Sequence, residues 1–233
     1  MLEVEKLEAA YGAVQVLKGI TFSVAAGEIV ALMGRNGAGK TTTLKAILRL
    51  VPPSAGTVRI AGQDLAGLDP HEVAHRGVAY VPQGRRLFNG MTVDENLTMG
   101  LLVRGSSAEV RERVLDLLPV LRDRLKQRAG TLSGGEQQML AMARALCTEP
   151  RLILLDEPSE GLVPAIVERL NDTILGLKAE GVAVLMVEQR VKTALRVADR
   201  VLLMEQGAIQ HVAKAADLIA DPVPLERYIG VHR

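Results

Sequence analysis

Polarity along the chain alternates short, unbroken apolar runs with longer stretches of helical periodicity. Five runs have the composition of strands buried on both faces: GEIVALMG (27–34), GVAYVPQ (77–83), RLILLDEP (151–158), VAVLMVEQ (182–189) and DRVLLMEQG (199–207). A parallel sheet covered by helices needs such strands, because neither of its faces meets water. The pattern therefore predicts an α/β fold around a mostly parallel sheet. The first 24 residues depart from it: LEVEKLEAAY and VLKGITFSV mix apolar and polar positions, as a small antiparallel β meander does. GTVRIAG (56–62) reads as a further small strand.

Between Gln83 and Pro150 the period becomes helical, as in SSAEVRERVLDLLPVLRD (106–123) and EQQMLAMARALC (136–147). This predicts one domain over 1–233, with an α/β core of 1–83 and 150–233 and an α-helical subdomain at about 84–150 inserted in the sheet. A length of 233 residues fits one to two domains and leaves ample material for a core. Pro222 and Pro224 in the tail separate one short helix from another.

Composition narrows the partners. Lys plus Arg is 28 against 27 for Asp plus Glu, and a net charge of +1 gives no strong pull on nucleic acid. Three tyrosines, two phenylalanines and no tryptophan leave little for stacking single strands. The one cysteine, Cys147, sits among apolar helical positions, reads as core packing and suits a reducing compartment. No apolar run approaches the roughly 18 residues of a membrane span. The N-terminus carries acids instead of a signal pattern. A cytosolic protein follows, able to dock on a membrane protein.

The chemistry begins where EIVALM runs into GRNGAGKT (34–41) and then into the helical TTLKAILRL. This is G-x-x-x-x-G-K-[ST] between a strand and a helix. Gly34, Gly37 and Gly39, with Arg35, Asn36 and Ala38 between them, let backbone N–H groups turn inward around a polyphosphate. The helix that follows, with Thr42 in its first turn, adds its positive end. Lys40 can reach the β- and γ-phosphates, and the Thr41 hydroxyl can bind Mg²⁺. RLILLDEP then places Asp156 and Glu157 at a strand end, the first suited to a metal shell and the second to deprotonating an attacking water.

TLSGGEQQ (131–138) precedes an amphipathic helix bearing Met139, Met142, Ala143 and Leu146 on one face. Ser133 and Glu136 have the spacing of a capping box, which any helix can use. Gly134 and Gly135 add bare amides that a cap alone does not need, so this helix start is a second anion site.

The phosphate loop, the glutamine of YVPQ, LSGGEQ and the Asp-Glu strand end, in that order over nearly the whole chain, resemble an ATP-binding cassette ATPase. That resemblance implies ATP and Mg²⁺ as cofactors. It implies two cassettes facing head to tail, with Ser133, Gly134 and Gly135 serving the partner's nucleotide. Tyr11 matches the aromatic that stacks on adenine. Gln83 matches the glutamine that meets Mg²⁺ and water and moves with a transmembrane partner.

Two positions depart from the family pattern. In DEPSEGLV, Val163 stands where most cassettes have an aspartate, and in VLMVEQR, Gln189 stands where most have a histidine that bonds the γ-phosphate. PSEGL, VEQ and GRRLF together are similar to an ATPase subunit of bacterial high-affinity branched-chain amino acid importers; urea and amide importers look alike. The resemblance implies two transmembrane permease subunits and a second cassette, either a paralogue or a second copy. It also implies an extracytoplasmic substrate-binding protein, a place on the cytoplasmic face of the plasma membrane, and no nucleic acid. Gln189 can donate to a phosphate oxygen but cannot become cationic; it joins Glu157 and Lys40 in the predicted catalytic set.

Three rival readings remain. A soluble cassette acting on DNA or ribosomes usually needs a coiled-coil insertion or fused cassettes, and this chain has neither. A nucleotide-dependent interaction module with little hydrolysis fits Gln189 and Val163 but not Glu157. DPHEVAHR (69–76) contains H-E-x-x-H, the zinc-protease spacing, in His71, Glu72 and His75. Asp69, Pro70 and Glu72 explain that segment as a short helix start, and only His211 and His232 remain as further histidine ligands.

Overall fold

The computed structural model describes residues 1–230; His232 and the end of the tail lie outside them. Strands β1 (Leu2–Tyr11) and β2 (Val14–Val24) form the N-terminal hairpin, followed by β3 (Ile29–Met33) and helix α1 (Lys40–Ile47). Next come β4 (Pro53–Ile60), β5 (Gln63–Asp64), α2 (Pro70–His75) and β6 (Val78–Val81). Helices α3 (Val93–Arg104), α4 (Ala108–Leu117) and α5 (Gly134–Leu146), with two 3₁₀ turns, precede β7 (Leu152–Asp156). The chain continues through α6 (Pro164–Ala179), β8 (Ala183–Val187), α7 (Val191–Val197), β9 (Arg200–Glu205) and β10 (Ala208–Lys214). Helices α8 (Ala215–Ala220) and α9 (Val223–Ile229) end it; Pro222 separates them as the sequence predicts, whereas Pro224 does not, lying in the first turn of α9 where a missing N–H costs nothing.

The larger sheet has the order β10-β9-β3-β8-β7-β6. All neighbours pair in parallel except β10, which runs antiparallel to β9 at the edge. Strands β3, β7 and β8 are buried at every position, which is why they read as unbroken apolar runs. The smaller sheet, β2-β1-β4-β5, is antiparallel and alternates buried with exposed residues. Its inner face and one face of the parallel sheet enclose a core around Leu7, Leu17, Val30, Leu32, Ile47 and Leu154. The other face packs against α5, α6 and α7.

Helices α3–α5 lie between β6 and β7, which are adjacent paired strands, so the chain leaves the sheet and re-enters it beside its point of exit. The stretch read as helical over 106–123 divides at Pro119, beyond which a 3₁₀ turn replaces the α-helix. Helix α3 buries Val93, Asn96, Leu97 and Gly100, an i, i+3, i+4, i+7 stripe. Its start is a capping box: Thr92 N–H donates to Glu95 Oε2 at 2.7 Å and Glu95 N–H to Thr92 Oγ1 at 3.2 Å.

At Gly100, α3 crosses α5 without space for a side chain. A Cβ there would lie 2.3 Å from the Arg144 carbonyl oxygen and 2.9 Å from the Cys147 Cβ. Alanine gains up to about 1 kcal/mol of helix propensity. Overpacking a crossing of two backbones costs about 1–3 kcal/mol, so Gly100→Ala is expected to destabilise the chain on balance. A thermal melt checks this: an unchanged or higher melting temperature would mean that the two helices separate at no cost. Cys147 itself is fully buried, and burial pushes its thiol up to about 12, in keeping with a packing role.

Candidate functional site

The carboxyl ends of four parallel strands converge on one edge, where α/β sheets place their ligands. β3 delivers the loop Gly34–Lys40, β6 delivers Tyr80 and Gln83, β7 delivers Asp156 and Glu157, and β8 delivers Glu188 and Gln189.

The loop is shaped by close backbone approach. A Cβ on Gly34 would stand 2.2 Å from the Met204 carbonyl oxygen on β9, so only glycine fits. Gly39 has φ 109°, a conformation that side chains disfavour, and begins α1 as its N-cap. Between them, Ala38 N–H donates to Arg35 O at 3.1 Å, and Ala38 O accepts from Gly207 N–H at 2.9 Å. The Lys40 ammonium is buried inside the loop and donates to Gly34 O at 2.9 Å and Arg35 O at 3.1 Å. Burial lowers its pKa, while Glu157 and Asp156 oppose that shift. Asn36 and Gly37 form the exposed crest, and Thr42 is buried in the first turn of α1.

Thr41 Oγ1 donates to Asp156 Oδ1 at 2.9 Å, joining residues 115 positions apart. Tyr80 OH donates to the other oxygen, Oδ2, at 3.1 Å. Asp156 is 1 % exposed, and burial raises its pKa against the pull of these two bonds and of Lys45 and Lys40. Burial and the neighbouring Asp156 charge hold the Tyr80 phenol well above its usual range, so Tyr80 acts as a donor. A hydroxyl and a carboxylate oxygen are the hard donors that Mg²⁺ takes alongside water and phosphate oxygens. Thr41 and Asp156 thus fit that ion.

Glu157 is the first residue past β7 and has φ 49°, the left-handed region in which a non-glycine residue costs about 1–2 kcal/mol. The turn is held by Glu157 N–H donating to Val187 O at 2.9 Å and Glu160 N–H donating to Glu157 O at 3.1 Å. Two side-chain amides meet the Glu157 carboxylate. Gln189 Nε2 donates to Oε1, and Gln83 Nε2 approaches Oε2 at 3.5 Å while donating to Glu160 Oε2 at 3.0 Å. The structure therefore brings together Lys40, Thr41, Asp156, Glu157, Gln83 and Gln189.

Tyr11 ends β1, pairs across the hairpin with Val14, and is 47 % exposed. The start of β2 lies against the loop, since a Cβ on Gly39 would be 3.1 Å from Leu17 Cδ2. Ser133, Gly134 and Gly135 are not joined to this cluster: among the described residues no hydrogen bond links them to the phosphate loop, Asp156, Glu157 or Gln189. Ser133 caps α5, its Oγ accepting from Glu136 N–H at 3.3 Å while Glu136 Oε2 accepts from Ser133 N–H at 2.8 Å. Gly135 also has a packing reason to be glycine, because its Cβ would stand 2.9 Å from Ile166 Cγ1 on α6.

The H-E-x-x-H segment folds as a six-residue helix, with Glu72 Oε2 accepting from Asp69 N–H at 2.7 Å. His71 and His75 are both exposed. Among the described residues, no three His, Cys, Asp or Glu side chains are grouped to hold a metal.

Sequence reasoning missed three participants: Tyr80, Glu160 and Glu188. Tyr80 carries the only polar side-chain group in VAYV, which was a usable signal. Glu160 sits in the turn after Glu157, where its length reaches Gln83.

Comparison with known proteins adds the following. The ABC transporter family model matches residues 17–160, a span that ends before Glu188 and Gln189. The high-affinity branched-chain amino acid transport ATP-binding protein BraG of Pseudomonas aeruginosa is 43 % identical over 232 residues, covering 99 % of this chain and 100 % of that protein. The lipopolysaccharide export system ATP-binding protein LptB of Escherichia coli is 36 % identical, covering 98 % and 97 %. The ADP conformation of MJ1267, an ATP-binding cassette of an ABC transporter, superposes with a TM-score of 0.88 at 28 % identity, covering 99 % of each chain.

Proposed function

The chain belongs to the ABC transporter family of ATPases, and from that premise we propose that it energises the uptake of branched-chain amino acids. It does so as one ATPase domain whose core is 1–83 and 150–233 and whose helical part is about 84–150. One observation carries the reading of the chemistry: Glu157 stands between two amide donors, one residue beyond the Asp156 that pairs with Thr41. Similarity to BraG over the full length supports the solute class; LptB, at lower identity, is named for export of a different molecule.

In the proposed reaction, ATP and water give ADP and phosphate. The loop amides of Gly34–Thr42 and the Lys40 ammonium hold the β- and γ-phosphates. Thr41 and Asp156, with Gln83 at the edge, hold Mg²⁺, which neutralises charge on the phosphates when bound. Glu157 takes the proton of the attacking water, and the Gln189 amide turns from Glu157 to a γ-phosphate oxygen. Tyr11 stacks on the adenine. Ser133, Gly134 and Gly135, remote from this cluster, serve the nucleotide of a second cassette.

No helix among the described residues is long and apolar enough to cross a membrane. The chain is placed peripherally at the cytoplasmic face, beneath two permease subunits that an extracytoplasmic binding protein supplies. Exposed Met99, Leu102 and Val103 form one apolar face of α3 beside exposed Phe88, and buried Asn96 ties them together by bonding the Phe88 backbone. This face suits an apolar permease segment.

The test is uptake of labelled leucine by cells lacking the gene. Restoration by the parent chain and not by Glu157→Gln is expected; undiminished leucine uptake in the deletion strain overturns the solute assignment.

A further inference from the structure

Glu188 is the one charged residue that enters the buried end of β8. The five residues before it, Ala183–Val187, are apolar and wholly buried, and Glu188 itself is 2 % exposed. Its two oxygens differ sharply. Oε1 accepts from Gln189 N–H at 2.8 Å and from Arg190 N–H at 2.9 Å, so one carboxylate oxygen clamps the turn that begins α7. Oε2 is buried and, among the described residues, has no partner.

A buried carboxylate oxygen without a donor costs stability, and an apolar residue of similar size would be the better choice for packing alone. The sequence nevertheless has a carboxylate there, and among the described residues its hydrogen bonds go only to the backbone of residues 189 and 190. That backbone carries the Gln189 side chain, whose amide donates to Glu157 Oε1. The other side of the contact is fixed from the same strand, because Glu157 N–H donates to Val187 O at 2.9 Å. Residues 187 to 190 therefore hold both ends of the Glu157–Gln189 pair, with Glu188 clamping the Gln189 end.

We propose that Glu188 is a positioning residue for ATP hydrolysis: its clamp on the Gln189 and Arg190 amides sets the reach of the Gln189 side chain to Glu157 and to the reacting phosphate. The proposal rests on the reading of Gln189 as a donor at that phosphate. Glu188 touches neither substrate nor metal. Its effect falls on turnover, because the ATP-holding groups Lys40, Thr41 and the loop amides lie on β3 and α1.

The experiment compares Glu188→Leu, Glu188→Gln and Gln189→Ala in the full chain within its membrane complex, measuring kcat, the KM for ATP and thermal stability. Glu188→Leu removes the orphan oxygen and is expected to melt at or above the parent temperature. Losing the clamp misplaces Gln189, and a displacement near 1 Å costs up to about a hundredfold, so kcat is expected to fall about ten- to hundredfold. The KM for ATP should stay within about twofold, as for an interaction made mainly in the transition state. Glu188→Gln keeps the Oε1 acceptor and is expected to stay within about threefold of the parent kcat. Combining Glu188→Leu with Gln189→Ala should slow turnover no further than the slower single change, because both act through one side chain.

A slow Gln189→Ala with a fast, folded Glu188→Leu overturns the positioning role and leaves the Gln189 reading standing. A fast Gln189→Ala overturns that reading, and with it the proposal, whatever Glu188→Leu does. Turnover that falls equally in Glu188→Gln and Glu188→Leu also overturns it, since the acceptor oxygen would then not be what matters.

Discussion

Glu157→Gln is expected to lower steady-state ATP hydrolysis by about 10²–10⁴-fold, the usual contribution of a positioned general base, while ATP still binds. The substitution keeps the shape of the side chain and one acceptor for the Gln189 and Gln83 amides. It removes the charge, the second acceptor oxygen and the ability to take a proton. Lys40, Thr41 and Asp156 are untouched, so nucleotide affinity should hold and ATP should persist between paired cassettes. Phosphate release and retention of labelled ATP on the purified complex measure the two halves separately. Hydrolysis within threefold of the parent would remove Glu157 from the mechanism.

Asp156→Asn should separate stability from activity. Burial raises the Asp156 pKa more than Thr41, Tyr80 and the two lysines lower it. A carboxyl whose folded pKa lies above its unfolded value contributes its full stability below the unfolded value and loses it as pH rises through the folded value. At neutral pH the charged form is therefore a cost to the ligand-free fold, and the neutral amide avoids it. The variant, free of Mg²⁺ and nucleotide, is expected to melt at a higher temperature than the parent. Metal stabilisation of transferring phosphates is worth several kcal/mol, so its ATPase should fall by at least about 10²-fold. Added Mg²⁺ and ATP should raise the melting temperature of the parent far more than that of the variant. A ligand-free variant that melts lower would show that the Thr41 and Tyr80 bonds outweigh burial.

The parallel strands were legible because they are buried on both faces, which leaves continuous apolar runs in the sequence. β10 was not, since an edge strand half in solvent carries the weak pattern AIQHVAK. Helix α3 was blurred for a related reason: exposed Met99, Leu102 and Val103 dilute its buried stripe. At the site, residues within a contiguous stretch were readable, from Gly34 to Thr42 and at Asp156–Glu157. What escaped depends on contacts across the fold. Tyr80 matters because it meets a carboxylate 76 positions away, and Glu188 because its carboxylate turns back on its own chain inside an apolar core. The glycines of LSGG carry a second reason that the sequence did not display. Read as bare amides for an anion, Gly135 is also required by the approach of Ile166.

The strand order has a consequence for how the chain is made. β3 supplies the phosphate loop, yet both its neighbours, β8 and β9, begin only at Ala183 and Arg200, and Gly34 is walled by Met204. At about 5–20 residues per second, a ribosome needs roughly 8–30 s to travel from β3 to β8. Throughout that interval Ile29–Met33, an apolar segment buried at every position in the finished fold, has no strand to pair with. The nucleotide loop is thus synthesised well before the strands that complete it, and nascent chains halted before residue 183 are expected to aggregate and to bind no ATP.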